Sequence, residues 1–302
     1  MTVRKAVLDL GSNSVKFILA DVMPHENPAI LEDMSKTTRL AEGIDKNGVL
    51  GVEVMKKTID VAHEYISRAK VAEAKRILAF ATSAVRDAKN KDEFCAQFKK
   101  ATEVELVVLT GRQEAALVFG GAMSDLDCPQ DDVVVMDVGG GSAEWILGTQ
   151  GKMVKHHSAP LGCVRMTERF LQGDPYTPES LEKLMKHLKT ELAKIRPYFS
   201  LEQRSLIATG GTACTLASFD CAIDQKPDQV HGHVLESERI HTFLNHLASH
   251  TEAEREKMPG ISKSRASIIT AGAAVFAVAL DVLGAEAMEV SVRGLRYGAL
   301  YV

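Results

Sequence analysis

Neither sign of charge dominates this chain of 302 residues: 36 Lys and Arg stand against 40 Asp and Glu, a formal net charge of −4. That balance argues against charge-driven binding of nucleic acid or an anionic membrane surface. Cysteine is scarce. The five present, Cys95, Cys128, Cys163, Cys214 and Cys221, are scattered and odd in number, with no Cys-x-x-Cys pair. Neither a disulfide framework nor a thiolate zinc site is expected, and a reducing, cytoplasmic setting is. Long apolar runs are missing too. The longest, Ile268 to Leu280, ends after 13 residues at Asp281, short of the roughly 18 that a membrane span needs, and reads as a buried helix. Behind Arg4 and Lys5 the apolar stretch is broken at Asp9 and no small-residue cleavage site follows, so no export signal is expected. Neither a G-x-x-x-x-G-K-[ST] loop nor a G-x-G-x-x-G fingerprint occurs, which leaves nucleotide binding by those folds unsupported.

What is present is ordinary globular material, 45% hydrophobic and 25% charged, with a length that suggests two domains of about 150 residues. Runs rich in Val, Ile and Leu at Val3 to Leu8, Val15 to Val22, Ile77 to Ala81, Leu106 to Leu109, Val133 to Met136 and Ala143 to Gly148 read as strands. Between several of them the period changes to that of a helix. Val54, Thr58, Val61, Tyr65 and Ala69 share one face, and similar patterns recur at Lys91 to Lys100, Glu114 to Met123 and Glu179 to Phe199. Alternation of this kind predicts α/β layers.

An internal echo is the most informative feature. AVLDLGSNSVKFILA (Ala6 to Ala20) and VVMDVGGGSAEWILG (Val134 to Gly148) align without a gap and share Asp9/Asp137, Gly11/Gly139, Ser14/Ser142, Ile18/Ile146 and Leu19/Leu147. Each copy reads as strand, Asp, glycine-containing turn, Ser, strand. Glycine permits a tight turn with exposed backbone N–H groups, and the neighbouring hydroxyl adds a donor, so such a loop can wrap a phosphate oxygen. An acidic β-hairpin turn would give either motif alone; two copies one domain length apart favour a pair of phosphate loops. A domain boundary is expected in the polar, Pro129-containing segment Asp125 to Asp132.

On these residues the chain resembles the exopolyphosphatase and guanosine pentaphosphate phosphohydrolase (Ppx/GppA) family. DLGSNS (Asp9 to Ser14) and DVGGGSAE (Asp137 to Glu144) are similar to the family's two phosphate motifs, and TSAVRDA (Thr82 to Ala88), GRQEA (Gly111 to Ala115), PLGCVRMTERF, ATGGTACTLA and VSVRGLRYGAL to further blocks in the same order. The resemblance implies the two-domain actin, sugar kinase and Hsp70-like (ribonuclease H-like) fold, with an active site in an interdomain cleft. It places residues 1–124 with 288–302 in one domain and 125–287 in the other. It also implies a homodimer, and a chain corresponding to the catalytic core of longer, multidomain relatives.

The same resemblance distributes roles for removal of a terminal phosphoryl group by water. Glu114 takes the position of the catalytic base and Arg86 that of a bidentate phosphate clamp. Both have plainer readings, as a first-turn helix carboxylate and as a helix-capping or salt-bridged cation. Gly11, Ser12, Asn13, Ser14, Gly139, Gly140, Gly141 and Ser142 would hold phosphate. Gly210 and Gly211 would hold further phosphate or a nucleotide, unless they only turn a strand into a helix. A carboxylate about 4 Å from a phosphate charge is repelled by roughly 4 kcal/mol at an effective dielectric of about 20, so Mg²⁺ or another divalent cation is expected, contacted by Asp9, Asp137 and Glu144, in part through water. Asp137 thereby counts among the catalytic residues as well. Departures from the pattern are Gln113, where an acid often stands, Ser267, and Arg296-Tyr297-Gly298 in place of Arg-Glu-Gly.

The implied reaction releases orthophosphate from inorganic polyphosphate or guanosine pentaphosphate, with polyphosphate preferred because no guanine-reading constellation is evident. Two alternatives use the same loops: a phosphotransferase of the acetate or sugar kinase type, and a non-catalytic sensor of guanosine tetraphosphate or polyphosphate. His246 and His250, spaced i, i+4 in a cluster with His231, His233 and His241, lack the glutamate of an H-E-x-x-H zinc site and read as ordinary surface residues. Lys152, Lys155, Lys186, Lys189, Lys194 and Arg196 would suit a polyanion track, though a solvated helix face accounts for the last four equally well.

Overall fold

In a computed structural model of the chain, which describes every residue except His25, 125–131, 200–203 and 224–226, the two halves of the internal echo each seed a mixed sheet. The chain folds into two compact units, one of Met1–Asp125 with Arg293–Val302 and the other of Leu126–Val292.

The first sheet contains β1 (Val3–Leu10), β2 (Ser14–Val22), β3 (Ala29–Thr37), β4 (Arg76–Ala81) and β5 (Leu106–Val108), in the order β3-β2-β1-β4-β5. β1, β2 and β3 are antiparallel neighbours; β4 runs parallel to β1, and β5 to β4. The last six residues of β1 are all buried, which is why it reads as a continuous apolar run instead of an alternation: both faces are covered. One cover is the helix Val52–Val71, which buries Met55, Ile59, Ala62, Ile66 and Ala69 at helical spacing and stacks Tyr65 on Phe17 of β2 with ring centroids 5.2 Å apart. The helix Lys91–Thr102 adds Phe94 and Phe98.

The helix Gly111–Ala122 is placed from both ends. At its start Thr110 and Gln113 form a reciprocal capping box, Thr110 N–H donating to Gln113 Oε1 at 2.9 Å and Gln113 N–H to Thr110 Oγ1 at 3.3 Å. At its end the closing helix Leu295–Leu300 lies so near that a Cβ on Gly121 would stand 2.0 Å from Gly294 O, and one on Gly298 1.9 Å from Leu117 O. Only glycine allows that approach.

The second sheet contains β6 (Val133–Val138), β7 (Ala143–Thr149), β8 (Lys152–Ala159), β9 (Ser205–Thr209), β10 (His233–Glu236) and β11 (Ala287–Ser291), in the order β8-β7-β6-β9-β11-β10. Three antiparallel strands again meet two parallel ones, and β10 adds an antiparallel edge. The echo of some fifteen residues is thus the visible part of a whole duplicated sheet plan, and the architecture is the two-domain α/β fold of the actin, sugar kinase and Hsp70-like class. The apolar run near Ile268 is the helix Ile269–Leu283, buried over nearly its whole circumference by the second unit's core. Among the described residues no helix is long and apolar enough to cross a membrane.

The domain limits differ from expectation at the C-terminal side. Met288 to Val292 belong with the second unit, because Ala287–Ser291 is hydrogen-bonded between β9 and β10; the chain returns to the first unit only from Arg293. The expected linker Asp125 to Asp132 lies, apart from Asp132, outside the described residues.

Candidate active site

In the first unit the turn from Asp9 to Ser14 is closed by Gly11 N–H donating to Ser14 O at 3.1 Å. The carbonyls of Ser12 and Asn13 are turned toward the segment after β3: Ser12 O accepts from Ala41 N at 2.9 Å, and Asn13 O from Thr38 N at 3.0 Å and Arg39 N at 2.9 Å. In a trans peptide the N–H opposes its C=O, so the Asn13 and Ser14 N–H groups point away from that segment, as donors to an anion must. Asp9 is the penultimate residue of β1, with Lys16 opposite it on β2. Its Oδ1 is buried without a hydrogen-bond partner. Burial pushes the Asp9 carboxyl pKa up, opposed by the charges of Lys16 and Arg296.

Ser12 Oγ lies 3.0 Å from Ser83 Oγ, and Ser83 opens the short helix Ser83–Asp87 that carries Arg86. Arg86 Nη1 donates to Glu114 Oε2 at 2.6 Å and to Leu109 O at 3.1 Å. Glu114 stands in the first turn of its helix and is only 7% exposed. The guanidinium expected on a phosphate thus donates to the expected base. Gln113, which departs from the family pattern, serves as the capping-box partner of Thr110.

The second unit repeats the turn: Gly139 N–H donates to Ser142 O at 3.0 Å. Here the loop's carbonyls face a helix, Cys163–Phe170. Gly139 O accepts from Cys163 N at 2.9 Å, and Gly140 O from Val164 N at 2.9 Å and Arg165 N at 3.2 Å, turning the Gly140 and Gly141 N–H groups the other way. Asp137 faces Glu144 across β6 and β7, and Glu144, itself buried, accepts from Ser158 Oγ at 3.0 Å. Gly210, with φ +88°, opens the helix Gly210–Asp220 against Asp137, and a Cβ there would lie 2.1 Å from Asp137 Oδ1. Gly211 is covered by Arg265, whose Nη2 would be 1.7 Å from a Cβ. Thr212 Oγ1 fixes the helix start by donating to Val138 O at 3.0 Å.

The residues singled out in the sequence thus form two groups, Asp9, Gly11 to Ser14, Arg86 and Glu114 in the first unit, and Asp137, Gly139 to Ser142, Glu144, Gly210 and Gly211 in the second. Sequence reasoning passed over Thr38, Arg39, Ser83 and Arg265. Ser83 was within reach, since it lies in the TSAVRDA block; the others carry no local pattern. Among the described residues no three His, Cys, Asp or Glu side chains form a metal cage. The partnerless Asp9 Oδ1 in the first unit and the facing Asp137 and Glu144 in the second are hard oxygen donors, of a chemistry that fits an ion such as Mg²⁺. The rings of His246 and His250 lie 4.3 Å apart, tilted by 45°, while His233 and His241 pair with Asp220 and Asp281.

The chain matches the family model described as the Ppx/GppA phosphatase family over residues 18–302. It is 31% identical over 301 residues to exopolyphosphatase 1 of Mycobacterium tuberculosis, covering 98% of this chain and 87% of that protein. The crystal structure of the Aquifex aeolicus Ppx/GppA family member superposes with a TM-score of 0.84 at 30% identity, covering 99% and 97% of the two chains. An exopolyphosphatase from Cytophaga hutchinsonii shares the fold, with a TM-score of 0.88 at 24% identity over 99% and 96%. The chain therefore belongs to the Ppx/GppA phosphatase family and is a phosphohydrolase.

Proposed function

We propose that this enzyme releases terminal orthophosphate from inorganic polyphosphate, with guanosine pentaphosphate a second substrate offering the same terminal phosphoanhydride. The observation that carries the proposal is the buried Glu114 carboxylate held at 2.6 Å by Arg86, joined to the Asp9–Ser14 turn through Ser83 and Ser12. Relatives named exopolyphosphatase support polyphosphate as the substrate.

Little covalent chemistry is needed: water attacks the terminal phosphorus, the bond to the bridging oxygen breaks, and the shortened chain leaves. Glu114 orients the water and accepts its proton, an effect usually worth about 10²- to 10⁴-fold in rate. Arg86 holds Glu114 in place in the free enzyme. An arriving phosphate competes for the same guanidinium, which links base to reacting group. Backbone N–H groups of Asn13, Ser14, Gly140 and Gly141, with the Ser14 and Ser142 hydroxyls, bind phosphate oxygens, and Gly210 and Gly211 let the start of their helix approach an anion closely. A divalent cation, when bound, offsets charge on the phosphate oxygens, with Asp9, Asp137 and Glu144 as its candidate contacts.

Orthophosphate release measured side by side from long-chain polyphosphate, short-chain polyphosphate and guanosine pentaphosphate, with and without Mg²⁺, tests this reading. Metal-dependent release, greatest from polyphosphate, is expected. Absence of release from all three would refute it, and phosphorylation of an organic acceptor by ATP would put a kinase in its place.

A further inference from the structure

Five non-glycine residues among those described have a left-handed backbone: Arg39, Glu73, Glu103, Gln150 and Ala222. Four need no special explanation. Glu73 and Ala222 directly follow helix C-caps, Glu103 is one, and Gln150 turns the β7–β8 hairpin, all places where that conformation is common. Arg39, with φ +57°, ends no helix and turns no hairpin. It follows β3 at the point where the chain crosses the Asp9–Ser14 turn.

Three backbone bonds from Thr38, Arg39 and Ala41 to the carbonyls of Ser12 and Asn13 hold it there, and Leu40, buried at the next position, anchors the segment in the first unit's core. Between buried Thr38 and buried Leu40, Arg39 is exposed, and among the described residues its guanidinium has no ion pair or hydrogen bond. Thr38, Leu40 and Ala41 are all buried, so within this segment Arg39 alone reaches solvent. An unpaired cation fixed by backbone hydrogen bonds beside an anion-binding turn has the chemistry of a phosphate subsite.

Building on the proposed phosphohydrolase reading, we infer that Arg39 holds a phosphate group of the substrate chain lying beyond the group bound at the Asp9–Ser14 turn. Arg39 approaches the turn from the side of the Ser12 and Asn13 carbonyls, opposite to the N–H donors, so it engages a different phosphate from theirs. The subsite gains from a long polyanion and nothing from a diphosphate, which makes Arg39 a residue that selects for chain length.

The test compares Arg39→Gly, which suits the left-handed backbone and removes the guanidinium, with Arg39→Lys, which keeps the charge and loses the two-pronged geometry. Equilibrium binding of long-chain polyphosphate and of pyrophosphate is measured by calorimetry in the Glu114→Ala background, and orthophosphate release with Glu114 intact. Arg39→Gly is expected to weaken long-chain binding about tenfold and pyrophosphate binding less than twofold, with the kinetic change carried by KM; Arg39→Lys falls between. Parental affinity of Arg39→Gly for the long chain, equal weakening for both ligands, or no binding of the long chain by the parent would overturn the subsite. If the parent binds the long chain yet releases no orthophosphate, the hydrolase reading falls while the binding comparison still decides the role of Arg39.

Discussion

The turn after β1 and the turn after β6 share a backbone and differ in charge. Each closes with a glycine N–H on a serine carbonyl, at 3.1 Å in the first unit and 3.0 Å in the second, and each has its Ser12–Asn13 or Gly139–Gly140 carbonyls occupied by a neighbouring segment. The side chains then diverge. Opposite Asp9 stands Lys16, but opposite Asp137 stands Glu144. Past the parallel strand, β4 leads to Ser83 and Arg86, whereas β9 leads to Gly210 and Gly211 at a helix start. Under the proposed function the duplicated cradle is specialised, one copy with Arg86 on the base Glu114 and the other with facing carboxylates that suit a hydrated divalent ion.

The division of labour can be broken most sharply with Glu114→Ala and Glu144→Gln. The first should lower kcat by about 10²- to 10⁴-fold with phosphate binding retained, and added Mg²⁺ should not rescue it. The second should lose activity that rising Mg²⁺ partly restores. Steady-state rates across a metal titration decide, and rescue of Glu114→Ala by metal would merge the two roles.

Next in size is a contrast between glycines. Gly210→Ala forces a left-handed alanine against Asp137 Oδ1 and should cost about 3 kcal/mol, lowering the unfolding midpoint by roughly 6 to 12 °C. At Gly11 an added Cβ meets Ser14 O at 3.2 Å and Asp9 Oδ1 at an ordinary 3.9 Å, and Gly11→Ala should cost about 1 kcal/mol or less. Equal losses in thermal unfolding would mean that the cradles are not under the different constraints described.

Asp9 gives a subtler test. Burial raises its pKa in the fold, so the free protein loses stability as pH climbs from about 4, where an unfolded aspartate titrates, through the raised value. Asp9→Asn should flatten that part of the pH–stability curve and raise the metal-free unfolding midpoint at neutral pH while reducing turnover; an unchanged curve would show that the buried Oδ1 carries no such penalty. Smallest is Ser83→Ala, which removes the hydroxyl 3.0 Å from Ser12 Oγ and should cost about 1 kcal/mol, seen as a modest loss of stability and a few-fold fall in turnover.

Much of this was legible in the chain. Expected strands match β1, β2, β4, β5, β6 and β7 to within two residues at either end, because each is an apolar run bounded by turn residues. β3 was missed. Most of its residues are exposed and it carries Glu32, Asp33 and Lys36, so nothing in its composition marks a strand; pairing with β2 makes it one. β11 was assigned to the wrong unit because a strand of five residues, three of them apolar, does not say which sheet it completes.

Taken alone, the sequence determined the duplicated turns, their Asp, Gly and Ser residues, the Glu114 helix and the family, since all of these are patterns between near neighbours in the chain. The tertiary structure decided that Arg86 meets Glu114, 28 positions away, that Asp9 Oδ1 is left without a partner, and that Arg39 is pinned to a turn formed more than twenty residues earlier. Each depends on desolvation and on contacts that exist only after distant segments pack, and no local spacing encodes them.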